Sequence, residues 1–263
     1  FKLRTPPMHL VDAYTHVRGE SLYLDDLPLM QGTLFVCVFG SPVAHGRIRS
    51  LHLSDALNTP GVVRIFTAAD IPGENQLGGI VPDEPLLADG TVDFWGMPVA
   101  LVVAETEEIA REAAAKIRMD VEKLPVVIDP REAQALGHLI VPPRTFRIGD
   151  AEAAFAGCDY VFEGRADSGG QEHLYLETHG AYAQPQENGH LRIVSSTQGP
   201  TAVQRAVARV LGVPMHRVEV DVLRLGGGFG GKEDQANTWA AMVALAAHHL
   251  RRPVKYVLHR MED

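Results

Sequence analysis

Apolar residues recur along this chain with two periods, and the switches between them outline its elements. From Thr33 to Phe39, Leu34, Val36 and Val38 alternate with Phe35, Cys37 and Phe39, which predicts a strand. Gly61 to Thr67 and Val99 to Glu105 are further strand candidates, and another begins near Arg118. Between them Thr106 precedes Glu107 and Glu108, and Ile109, Ala113 and Ile117 share one face, the pattern of an N-capped amphipathic helix. The stretch 71–91, rich in Pro, Gly and acids, reads as an irregular surface loop. Further on, Asp150 to Ala156 predicts a helical turn and Asp159 to Ala166 a strand. Leu174 to Gln184 and His190 to Ser196 predict a hairpin. Thr201 to Leu211 buries Val203, Val207, Val210 and Leu211 as a helix, with Pro200 in its first turn and Gly212 and Pro214 at its end. Arg217 to Leu225 alternates again, and Trp239, Met242, Val243 and Ala246 mark a helix from Gln235 to Leu250.

Strands with one clear helix make the first half an α+β pattern. Residues 126–150 carry Pro130, Pro142, Pro143 and Gly149 without sustained periodicity, a linker by composition or an ordered loop. The expected organisation is a first domain over 14–125, a linker over 126–150 and a second region over 151–263.

Composition narrows the function classes. A formal net charge of −9 with no basic run argues against nucleic-acid binding, which needs cations to displace counterions. No apolar run reaches membrane-spanning length and residues 1–30 lack a signal-peptide core, so a cytoplasmic protein is expected. Two cysteines, Cys37 and Cys158, are too few and too distant for an iron–sulfur cluster or a zinc ribbon. His173 and His179 lie near Glu172 and Glu177 without a metalloprotease spacing, so core or surface roles are favoured over zinc.

The strongest chemical signal is Leu225-Gly226-Gly227-Gly228-Phe229-Gly230-Gly231-Lys232-Glu233, five glycines around one aromatic between a strand pattern and a helix pattern. Glycine reaches positive φ and leaves its N–H uncovered, so such a run offers amide donors to an oxygen-rich ligand. Gly226-x4-Gly231-Lys232 approaches a P-loop, but Glu233 stands where a magnesium-binding hydroxyl belongs. Gly226-x-Gly228-x-x-Gly231 approaches a dinucleotide fingerprint, but no acid follows about 20 residues on. A second signal is Ser195-Ser196-Thr197-Gln198-Gly199-Pro200, which puts Gln198 at a helix N-terminus. Its carboxamide either donates to an anion or a metal-bound oxo, or simply caps the helix; spacing alone favours the cap.

Three segments in order, Gly169 to Glu177, Ser196-Thr197-Gln198 and Gly226 to Glu233, resemble successive motifs of the molybdenum-binding subunit of xanthine dehydrogenases, within the xanthine oxidase and aldehyde oxidase family. Gly19 to Asp26 and Gly61 to Asp70 are similar to that family's N-terminal α/β hammerhead domain, so the resemblance covers nearly the whole chain. It implies a hammerhead domain followed by the first part of a mixed α/β molybdopterin-binding domain. By position, Gln198 matches the glutamine that hydrogen-bonds the apical oxo of molybdenum, Phe229 and Gly230 with Gly228 match the backbone lining that oxo, and Glu233 matches the glutamate that contacts a purine. Similar aldehyde oxidases usually carry an apolar residue at that last position, so the resemblance leans towards xanthine or hypoxanthine.

The implied cofactors are molybdopterin with molybdenum here, and [2Fe-2S] clusters and FAD on a partner chain or domain. The implied reaction is hydroxylation with water as oxygen source, electrons leaving to NAD, in a heteromer. The family's general base, substrate-orienting arginine and stacking phenylalanine match no residue here, so the chain is expected to be an N-terminal portion, inactive by itself and needing the remaining C-terminal part of the subunit. An aldehyde-oxidising hydroxylase, a non-catalytic docking fragment and a nucleotide-binding enzyme are the alternatives.

Overall fold

A computed structural model describes residues 10–263. The strands are β1 (Leu34–Gly40), β2 (Gly46–His52), β3 (Val62–Phe66), β4 (Thr91–Val92), β5 (Pro98–Ala104), β6 (Arg118–Lys123), β7 (Gly180–Pro185), β8 (Leu191–Ser195), β9 (Val218–Asp221) and β10 (Val254–Val257). The helices are α1 (Ala13–Val17), α2 (Ser54–Leu57), α3 (Glu107–Ala114), α4 (Pro130–Ala135), α5 (Ala151–Ala156), α6 (Pro200–Leu211) and α7 (Ala236–Leu250). Among the described residues strands and helices are both present, a mixed α/β architecture. Its seven-stranded sheet runs β3-β5-β1-β10-β7-β8-β9, beside a three-stranded sheet β4-β2-β6.

The chain splits into two compact units. One comprises residues up to Leu124 together with His173–Asp263, and the other Pro125–Glu172. Within the first unit, β1 pairs in parallel with β10 (Leu34 opposite Val254) and antiparallel with β5, so a single sheet joins strands from far apart in sequence. On this sheet α6 buries Val203, Val207, Val210 and Leu211, the face its spacing predicts. Helix α7 is different: every residue from Ala240 to Ala247 is fully buried, so small alanines wrap all its sides in protein instead of forming one stripe. The Thr106 side chain accepts from the Ile109 N–H and caps α3, as its sequence predicts.

Several expectations need correction. The Asp159 to Ala166 segment forms no strand, since no partner supplies its ladder. The predicted Leu174 to Gln184 strand is regular only in β7; residues 173–178 leave the ladder to pack on the glycine loop. The Arg217 to Leu225 strand likewise ends at Asp221, where the parallel pairing with β8 stops. The 71–91 segment is not a surface loop throughout, because Leu86 and Leu87 are fully buried. Asn75 holds this turn, donating to the Leu87 carbonyl (2.7 Å) and accepting from its N–H (3.1 Å). Gly73 lies on the end of α6, its N–H donating to the Val210 carbonyl, where a Cβ would sit 2.1 Å from the Arg209 carbonyl oxygen.

Candidate cofactor site at the glycine loop

The three motif segments, distant in sequence, meet at one place in the first unit. The loop 226–233 leaves β9 and leads into α7, residues 173–178 precede β7, and Ser196 to Gly199 link β8 to α6. The Gly231 N–H donates to the Gly228 carbonyl at 2.7 Å, closing a turn whose central residues, Phe229 (φ 52°) and Gly230 (φ 95°), are both left-handed, as in a type I′ turn. For a bulky aromatic this conformation costs about 1–3 kcal/mol, and Phe229 holds it while the residue is 75% exposed.

Protein packing already explains most of the glycines. A Cβ at Gly226 would sit 2.4 Å from the Glu177 Cβ, one at Gly228 would sit 2.4 Å from Gln198 Oε1, and one at Gly231 would sit 2.8 Å from the Tyr175 ring. Gly227 and Gly230 are instead demanded by φ of 93° and 95°.

Gln198 does not cap α6. Its Oε1 accepts from the N–H of Gly230 (3.0 Å) and of Lys232 (3.3 Å), which aims the carboxamide across the loop. The cap reading that spacing alone favours is thereby displaced, because tertiary donors outcompete the local ones. With Oε1 engaged, the amide NH2 is the group Gln198 presents to an acceptor. The N–H groups of Gly226, Gly230, Gly231 and Lys232 are all spent within the protein; that of Phe229 is not among them. The side chain of Glu233 is exposed, one residue beyond the point where the Gln198 N–H donates to the Lys232 carbonyl at 2.8 Å.

Sequence reasoning missed what lies behind the loop. Lys232 is fully buried, and its Nζ donates to the Glu177 carbonyl (2.6 Å) and to Ser196 Oγ (2.7 Å), 4.5 Å from the centre of the Tyr175 ring. Its ion-pair partner is Glu177, whose Oε2 lies 3.4 Å away and accepts from the Gly226 N–H and the Ser196 hydroxyl, each at 2.8 Å. Burial pushes the Lys232 ammonium below its ordinary pKa, opposed by the Glu177 carboxylate. Alongside, His179 Nδ1 meets Asp263 Oδ1 at 2.5 Å and the Tyr175 hydroxyl at 2.9 Å, and burial holds its pKa below the usual histidine value against the pull of Asp263. His173 stacks on Tyr175 at 6.4 Å. Both histidines therefore serve packing and hydrogen bonding at the loop's back.

Among the described residues no group of three or more His, Cys, Asp or Glu is placed to hold a metal ion. The loop offers amide donors instead. That donor set fits a cofactor with oxygen-bearing metal: the presented Gln198 NH2 and the Phe229 N–H are hydrogen-bond donors without competing carboxylates in their own turn.

Residues 134–263 match the molybdopterin cofactor-binding domain family, and residues 18–125 match the a/b hammerhead domain of aldehyde oxidase and xanthine dehydrogenase. The chain is 40% identical over 261 residues to a xanthine dehydrogenase of Calliphora vicina, covering 98% of this chain and 19% of that protein. To xanthine dehydrogenase 1 of Arabidopsis thaliana it is 41% identical over 260 residues, covering 97% and 19%. It therefore spans about a fifth of the length of these curated relatives. Among solved structures, quinoline 2-oxidoreductase from Pseudomonas putida 86 superposes with a TM-score of 0.80 at 32% identity, over 96% of this chain and 34% of that one. The aldehyde oxidoreductase from Desulfovibrio gigas gives a TM-score of 0.84 at 29% identity, over 95% and 29%. With the a/b hammerhead domain and a molybdopterin cofactor-binding domain in succession, the chain belongs to the aldehyde oxidase and xanthine dehydrogenase family.

Proposed function

We propose that this chain builds one side of a molybdopterin site in a hydroxylase that acts on a purine, xanthine or hypoxanthine, with water as oxygen source. The observation that carries this reading is the Gln198 carboxamide, held by the Gly230 and Lys232 N–H groups so that its NH2 is presented. In this reading that NH2, together with the backbone from Gly228 to Phe229, would hold an oxygen-bearing molybdenum cofactor by hydrogen bonding. Gly230, whose N–H is already spent, acts by fixing Gln198. The bound molybdenum centre supplies the two-electron oxidation. Such donors stabilise developing charge best when they need no reorganisation, and a carboxamide fastened at its oxygen meets that condition.

Glu233 selects the substrate. Its exposed carboxylate follows the backbone clamp between Gln198 and Lys232 and accepts from ring N–H groups, partners that a purine has and a simple aldehyde lacks. The general base, the [2Fe-2S] clusters and the FAD that passes electrons to NAD belong, in this reading, to further domains or subunits of a larger cytoplasmic protein.

The test uses the whole cofactor-loaded protein that contains this chain. Glu233→Val lowers kcat/KM for xanthine by about 2–4 kcal/mol of lost transition-state interaction, with molybdenum content unchanged and aldehyde turnover undiminished. An unchanged xanthine rate contradicts the purine assignment and favours an aldehyde-type substrate.

A further inference from the structure

A lysine with no exposed surface, in a loop that faces solvent at Phe229 and Glu233, calls for an explanation. Taking an ammonium out of water costs several kcal/mol, and a buried ion pair gives little net stability over apolar side chains of the same volume. What the pair does supply is direction. Lys232 bonds to every other segment of the site: its Nζ to the Glu177 carbonyl and Ser196 Oγ, its N–H to Gln198 Oε1, and its carbonyl to the Gln198 N–H and to the Thr197 hydroxyl at 3.1 Å. Glu177 closes the arrangement by binding the Gly226 N–H through Oε2 and the Gly226 carbonyl through its own N–H at 3.1 Å.

We propose that Lys232, acting through Glu177 and Ser196, is a positioning residue that locks segments 175–178, 196–198 and 226–232 into one register and thereby sets the aim of the Gln198 carboxamide and the point from which Glu233 leaves the loop. Its side chain goes inward, so the next residue is delivered to the opposite, solvent-facing side. A neutral residue of similar length fills the space but has no donors for the Glu177 carbonyl and the Ser196 hydroxyl. The proposal rests on reading this loop as the cofactor site, but its test contains no cofactor, so either idea can fail while the other stands.

The test is amide hydrogen exchange by NMR on the 263-residue chain, comparing the Gln198 and Gly230 N–H groups with Leu245 in the core of α7. Two variants are compared with the parent. Lys232→Met leaves the Glu177 carboxylate buried without its cation, whereas Lys232→Met combined with Glu177→Met removes both charges and so relieves that penalty. The expected result is that in the double variant Gln198 and Gly230 exchange at least about tenfold faster relative to Leu245 than in the parent, about 1.4 kcal/mol of local opening. The two Gln198 side-chain amide protons then move towards free-glutamine shifts. A smaller relative change, with loop and core moving in step, shows that Lys232 only supports the fold and overturns the proposal, as does failure of both variants to fold.

Discussion

The loop 226–233 and the segment 125–172 are both rich in glycine or proline and both lack sheet, but their conformations are decided at different levels. In the segment, α4 and α5 each start at an aspartate cap: Asp129 accepts from the Arg131 N–H at 2.7 Å, and Asp150 accepts from the Ala153 N–H at 3.0 Å. Neither helix has a buried residue, and Ile128, Ile140, Phe146, Ile148 and Phe162 are exposed. Local hydrogen bonding suffices for a turn or two of helix there. The glycine loop has no helix or strand, yet it buries Gly228, Gly231 and Lys232 and holds a phenylalanine in left-handed backbone. Its order comes from contacts about 30 to 55 residues away, to Gln198, Ser196 and Glu177. A site that must present donors at fixed positions draws on tertiary restraint, because a local cap orders only its own turn.

Two substitutions sharpen this contrast, beginning with the larger effect. Gly228→Val places a Cβ where Gln198 Oε1, Cδ and Cγ lie 2.4, 2.7 and 2.9 Å away. It should cost about 1–3 kcal/mol of global stability and break the Gln198 bond to Gly230. Urea unfolding together with the Gly230 amide shift reads both effects, and a loop that absorbs valine at no cost argues against tertiary restraint. Asp129→Ala, in contrast, should destabilise α4 by about 1 kcal/mol at most, speeding exchange at Arg131 and Glu132. The unfolding midpoint of the sheet-containing unit should stay where it is. A shifted midpoint shows that α4 is coupled to that core and weakens the comparison.

How much of this was legible in sequence follows the same division. Strands β1, β3 and β5 and helices α3 and α6 are visible because their apolar residues repeat at the element's own period, and Thr106, Pro200 and Gly212 mark ends by local chemistry. Gly212 is left-handed at φ 64°, as a helix-terminating glycine should be. Strand β2, with Arg47, Arg49, Ser50 and His52, has no apolar alternation to read, and β10 is four residues interrupted by Lys255, which buries its stem while Nζ donates to Asp25. Nothing local announces that Leu86 and Leu87 turn inward. At the site, the glycine run and Gln198 could be singled out as donors. The burial of Lys232 could not, since a lysine in a turn ordinarily points to water, and its partners are assembled only by the meeting of three distant segments. A charged residue beside a glycine run and a Glu, Ser and Gln elsewhere gives no spacing to recognise. Phe229 in left-handed backbone is equally hidden, because phenylalanine does not favour that region.

The account stands or falls on what faces Gln198 when the cofactor is in place. The direct measurement is an experimental structure of the molybdenum-loaded protein that contains this chain. The predicted result has Gln198 Nε2 and the Phe229 N–H within about 3 Å of one oxygen on the metal, with Gln198 Oε1 still bonded to the Gly230 and Lys232 N–H groups. A metal centre bound elsewhere on the protein, with Gln198 and Phe229 facing only solvent, would contradict it.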